Sequence, residues 1–201
     1  MININFIFLL SMLSILVFFI GGIPFGLIIG KIFKNIDIRK YGSGNIGATN
    51  VARVIGKKYA VLTFLLDGLK SFLPIFIIKS IYGIHMAAYI SFFAITGHIF
   101  SPWLKGKGGK GISSLFLALL AIDYRLFLIT AITWLLCFKI TKISALSALT
   151  SVIIMVIGSY FILPKFCFFV FFIIACIIFN AHSNNIKRLI NGEELGFKKN
   201  N

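Results

Sequence analysis

The residues best suited to chemistry lie in three polar stretches between long apolar runs. The first, Asp37 to Arg53, combines Gly42, Gly44 and Gly47 with Ser43, Asn45, Thr49, Asn50 and Arg53. Glycines let the backbone turn and approach a ligand closely, and successive N–H groups can form a concave anion site. Arg53 adds a planar fork suited to phosphate. The second, Gly97 to Gly111, begins with His98 and ends with lysines set among glycines: Lys105, Lys107 and Lys110. The third, His182 to Glu194, places His182 and Asn185 on one helical face directly after the last apolar run. A histidine there can exchange a proton near neutral pH, and an asparagine can orient a hydroxyl or carbonyl.

The glycine runs Gly42–Gly47 and Gly106–Gly111 both match G-x-G-x-x-G. Neither follows a strand in a βαβ unit, and neither ends in Gly-Lys-Ser/Thr, so dinucleotide and P-loop readings fail on context. Asp67 and Lys70, one helical turn apart within an apolar run, predict a structural ion pair, with a catalytic dyad or a Lys70 reaching toward substrate as the alternatives. Ser144 and Ser147 share a face at the start of a later run, where serines commonly bond to backbone carbonyls or neighbouring helices. The cysteines, Cys137, Cys167 and Cys176, all sit in apolar runs without a C-x-x-C pair, and read as small apolar-facing residues with no disulfide or metal role.

The elements that must position these groups are membrane helices. The chain has 201 residues, 59% of them hydrophobic, and a mean hydropathy of +1.02. This predicts one all-α integral membrane domain over 1–201. Apolar runs at 4–30, 59–80, 84–104, 112–123, 126–140, 143–163 and 166–181 predict a polytopic bundle of about seven transmembrane helices, the fourth and fifth of them short. Five crossings with a re-entrant pair at 112–140 is the alternative. Pro24 predicts a break at the end of the first helix. The first charge is Lys31, on the wrong side of the apolar run for a secretory signal peptide.

A net charge of +15 on so apolar a chain reads as membrane orientation and headgroup contact, not nucleic-acid binding. Segments 31–58, 105–111, 139–142 and 183–201 hold 7, 3, 2 and 4 of the 20 lysines and arginines. Seven crossings place all four on one side and leave Lys79, Arg125 and Lys165 opposite, with Lys70 inside a span. The positive-inside rule makes that side, and the C-terminus, cytoplasmic.

Taken together, the three motifs resemble those of the bacterial PlsY family, integral membrane acyltransferases that acylate glycerol 3-phosphate with acyl phosphate. The resemblance covers essentially the whole chain through Gly42–Arg53, Gly97–Gly111 and His182–Glu194. It implies a seven-helix membrane fold in the bacterial inner (plasma) membrane, an active site on its cytoplasmic side, and lysophosphatidate as product, feeding phospholipid synthesis. It implies glycerol 3-phosphate, fatty acyl phosphate and membrane lipids as partners; with few acids or histidines to form a ligand set, neither a metal nor a cofactor is expected. Carried over by motif position, Ser43, Asn45, Thr49 and Arg53 bind phosphate in the first loop, and Lys107 and Lys110 in the second. Ser147 or Ser144 is the serine of the sixth-helix pattern, and His182 with Asn185 forms the catalytic pair. Gly22 stands where the family often has serine, Gly106 where an aromatic is usual, and Ser113-Ser114 where alanine–threonine is common. No His-x-x-x-x-Asp motif, which marks glycerol-phosphate acyltransferases that use thioester donors, occurs: the corresponding positions are Ile90, Trp103 and Lys187.

The chemistry of such a donor suits these residues. An acyl phosphate is an activated mixed anhydride, so no covalent enzyme intermediate is required. The protein has to hold two mutually repelling phosphorylated molecules together and stabilise the developing oxyanion. A membrane anion transporter or a non-catalytic lipid-binding protein would also use a basic vestibule. Against a transporter, the polar motifs gather on one side and no inverted repeat is evident.

Overall fold

In the computed structural model, which describes residues 4–197, the apolar runs become helices: α1 (Ile4–Gly21), α2 (Phe25–Lys34), α4 (Lys57–Ile99), α5 (Ile112–Ile122), α6 (Tyr124–Thr141), α7 (Ser144–Ile162) and α8 (Lys165–Ala181). Short α3 (Ala48–Val54) and α9 (Ser183–Ile190) lie in the first and third polar motifs. Lys198 and Lys199, two of the basic residues counted on the cytoplasmic side, fall outside the described residues.

The long α4 is a hairpin. On an unbroken helix residues 67 and 98 would stand about 46 Å apart, yet His98 Nδ1 lies 3.7 Å from Asp67 Oδ1. The reversal falls at Gly83, whose φ of 80° suits glycine far better than residues with a Cβ. The first arm therefore returns alongside the second, and the polar residues at 67–70 meet those at 98–101.

By length and composition α6, α7, the α1–α2 unit and the α4 unit can each cross a membrane, and α8 with α9 makes a bent fifth. α5, with 11 residues, spans only about 16 Å. α6 extends over 18 residues because the polar Tyr124 and Arg125 join its start, where the Asp123 carboxylate accepts the Arg125 N–H at 2.9 Å. Large side chains such as Leu136, Phe161 and Ile173 stand exposed on the outer surface, which suits contact with acyl chains rather than water. Inside, Ile90, Ile95, Leu119, Met155 and Phe171 form the main core.

The break at Pro24 frees backbone carbonyls, which in a low-dielectric interior must find donors. The loop after α4 supplies two of them. Ser101 Oγ donates to Gly22 O at 2.6 Å, and Trp103 Nε1 to Phe19 O at 2.9 Å. From the first arm, Lys70 Nζ donates to Ile23 O at 2.6 Å while paired with Asp67 at 2.7 Å. Asp67 and Lys70 thus form the expected ion pair, and that pair also caps the break.

Candidate functional site

The first polar motif is held as a compact loop by one side chain. Asn50, in the first turns of α3 and almost fully buried, accepts the Ser43 N–H at 2.8 Å through Oδ1. Its Nδ2 donates to Ile38 O, Tyr41 O and Asn45 O at 3.1, 3.1 and 2.8 Å. Ile38, Ile46 and Val51 pack with Leu27 of α2 beneath it. Asn45 closes the turn that leads into α3, its Oδ1 accepting from Gly47 N at 2.8 Å. Replacing Asn50 with alanine would orphan buried donors and acceptors, so Asn50→Ala is expected to cost about 2–4 kcal/mol. A lowered melting temperature of the purified protein would reveal it, and an unchanged one would deny Asn50 this role.

The second motif folds back onto the end of α4. Gly108 N and Gly109 N donate to Ile99 O and His98 O, each at 3.0 Å. A side chain at Gly109 would collide with the His98 imidazole, so glycine allows the loop to lie flat against the ring. This pinning turns Lys107 outward, exposed, and Lys110 inward. Lys110 then leads directly into α5, whose first N–H groups have no intrahelical partners and carry partial positive charge.

The third motif meets both. His182 Nδ1 lies 2.8 Å from Ile178 O. A carbonyl only accepts, so Nδ1 carries a proton and, in the neutral ring, Nε2 keeps its lone pair. Asn185 Oδ1 accepts a hydrogen bond from Lys110 Nζ, and its Nδ2 donates to Glu194 at 2.7 Å. Arg188 Nε closes the network on the other Glu194 oxygen at 2.8 Å. Burial pulls the Lys110 ammonium down to about 8, against the opposing pull of Glu194.

These groups share one cavity of about 1080 Å³. Its polar end includes Ser43, Asn45, Thr49, Arg53, Lys110, His182 and Asn185. Thr49 Oγ1 lies 2.9 Å from Ser144 Oγ, joining α3 to α7 across the wall. Ser144 lines the cavity, whereas Ser147 is fully buried with its hydroxyl on Ile143 O at 2.8 Å. Of the site residues carried over by motif position, Lys107 and Ser147 therefore lie outside the cavity lining, whereas Ser43, Asn45, Thr49, Arg53, Lys110, Ser144, His182 and Asn185 line it. Asn50 and Glu194 were named only as members of their motifs, with no role of their own. Asn50 carried a weak signal as a second asparagine in a glycine-rich loop, while the placement of Glu194 depends on a chain turn that no local pattern announces.

The other end of the cavity is apolar. Phe127, Ala131, Trp134, Leu135 and Phe138 recur at helical spacing along one face of α6. Phe64 of α4 and Phe116 of α5 also line it. Val61 and Leu135, both in the lining, are each 59% exposed, so this end opens on the outer surface of the bundle. The arrangement can hold an anionic head and an aliphatic tail at once.

A profile of the family described as glycerol-3-phosphate acyltransferase matches residues 11–192. A protein of that name from Wolbachia sp. subsp. Brugia malayi is 41% identical over 186 residues, 91% of this chain and 96% of its own length. One from Agrobacterium fabrum is 37% identical over 186 residues, 92% and 91% of the two chains. The crystal structure of PlsY, an integral membrane glycerol 3-phosphate acyltransferase, in its glycerol 3-phosphate form superposes with a TM-score of 0.90 at 33% identity. It covers 94% of this chain and 96% of that one. The lysophosphatidic acid form gives 0.88 at 33% identity, with 94% and 95% covered. Matched over most of its length in sequence and in fold, the chain belongs to the glycerol-3-phosphate acyltransferase (PlsY) family of integral membrane proteins.

Proposed function

We propose that this protein transfers a fatty acyl group from acyl phosphate to the 1-hydroxyl of glycerol 3-phosphate, giving lysophosphatidate and inorganic phosphate. The whole chain acts as one domain of the bacterial inner membrane, with the polar end of the cavity facing the cytoplasm. The observation that carries this reading is the cavity itself, in which Arg53, Lys110 and His182 adjoin an apolar trench that opens toward lipid.

In this reading Arg53, Lys110, the first-loop backbone and the N-terminus of α5 hold the two phosphates, and the trench holds the acyl tail. Ser43, Asn45 and Thr49 shape the phosphate loop. His182 Nε2 accepts the hydrogen bond of the attacking hydroxyl and directs its oxygen at the acyl carbon. The new C–O ester bond forms, the bond from the acyl carbon to the phosphate oxygen breaks, and the electron pair leaves with phosphate. The proton passes through His182 to the departing phosphate. Asn185 holds Lys110 against Glu194 and so keeps the cation beside His182.

The decisive assay supplies purified protein with labelled glycerol 3-phosphate and either palmitoyl phosphate or palmitoyl thioester. Labelled lysophosphatidate from the phosphate donor alone is expected. Product from the thioester alone would overturn the choice of donor. Uptake of unaltered label into vesicles, with no lipid formed, would favour an anion transporter instead.

A further inference from the structure

Beyond Glu194 the chain turns back across the polar end of the cavity. Arg53 Nη2 donates to Leu195 O at 2.7 Å, and the Arg53 guanidinium sits 4.9 Å from the centre of the Phe197 ring. Phe197 is itself anchored twice. Its N–H donates to Lys142 O at 2.9 Å, and its ring meets Phe138 edge-on at 5.6 Å. Both Phe197 and Arg53 line the cavity. Arg53 Nε is buried without a hydrogen-bond partner, an unsatisfied donor on the edge of a guanidinium whose face is already covered.

We infer that Phe197 is a positioning residue for phosphate binding, fixing the plane of the Arg53 guanidinium so that its terminal N–H donors are aimed at the phosphate of the acceptor. This rests on the proposed reading of Arg53 as a phosphate ligand. An arginine at the end of a helix has many rotamers, and ordering it on binding would weaken affinity. A ring packed on one face, with a carbonyl holding one nitrogen, removes that freedom beforehand. The aromatic contact also leaves the N–H donors in the guanidinium plane unspent, as an ion pair to a carboxylate would not. The strap thereby ties α3 to the α6–α7 turn and to α9 at the point where the phosphate binds.

Phe197→Leu keeps apolar bulk and the backbone bond to Lys142 but removes the π face. It is expected to raise KM for glycerol 3-phosphate roughly five- to tenfold, with kcat falling by less than twofold. Phe197→Tyr should restore the wild-type KM. In an Arg53→Lys background, the Leu substitution should change KM by less than about twofold, because the planar fork is already gone. An unchanged KM in Phe197→Leu, or effects at the two positions that simply multiply, would overturn the inference. An Arg53→Lys protein with wild-type KM would instead show that Arg53 is not the phosphate ligand, and the inference would fall with that assignment. Should Phe197→Leu melt at lower temperature, stabilisation by inorganic phosphate gives a second reading. A wild-type increment in the variant counts against the role, and a reduced increment restored by Phe197→Tyr supports it.

Discussion

Lys110→Met should lower kcat/KM for glycerol 3-phosphate by about 100-fold or more, while preserving most of the side-chain volume. Lys110 is the only lysine of its glycine loop that lines the cavity, and burial makes its charge worth more there than on the surface. The same burial makes its contribution depend on pH. Its pKa is depressed to about 8, so the ammonium is intact below that value and is lost as pH rises through it. kcat/KM, which reports the free enzyme, should therefore fall above about pH 8. In Lys110→Arg the cation persists, so any decline there should be shifted well to higher pH. A wild-type profile that stays level to pH 9.5 would show that burial does not bring Lys110 into this range, and wild-type kcat/KM in Lys110→Met would remove Lys110 from phosphate binding.

The second large effect is expected at His182. Its Nδ1 is committed to Ile178 O, so only Nε2 can serve the attacking hydroxyl. His182→Ala should reduce kcat by about 100-fold or more, with KM for glycerol 3-phosphate within a few-fold of wild type. The split matters, because a residue that only bound phosphate would move KM instead. Turnover at wild-type rate in His182→Ala would leave the departing phosphate as the sole base and take the imidazole out of the reaction. A melting temperature close to wild type would confine the effect to chemistry.

Much of this site was legible before the fold was known, because its chemistry is concentrated in short runs. The glycine-rich loops, Arg53, and His182 with Asn185 announce themselves by residue type. The apolar runs on either side of Gly83 and the break at Pro24 likewise follow from local composition. What the sequence left open was direction. Lys107 and Lys110 differ little as letters, and only the two backbone bonds that pin Gly108 and Gly109 to the end of α4 decide which one points inward. Ser144 and Ser147 share a helical face, yet one bridges to Thr49 and the other folds back on its own helix. The strap was least legible. Its position is fixed by Lys142, Phe138 and Arg53, contacts far apart in the chain that no periodicity encodes.

The exposed trench wall at Val61 and Leu135 has a consequence for traffic through the protein. A sealed pocket would oblige a greasy product to climb out through the watery mouth, stripping its tail of company on the way. With one flank missing, a newly made single-chain lipid on the proposed reading can slip sideways into the surrounding leaflet, its tail never meeting water. The soluble acceptor and the spent phosphate keep the aqueous door to themselves, so the two streams need not wait on one another.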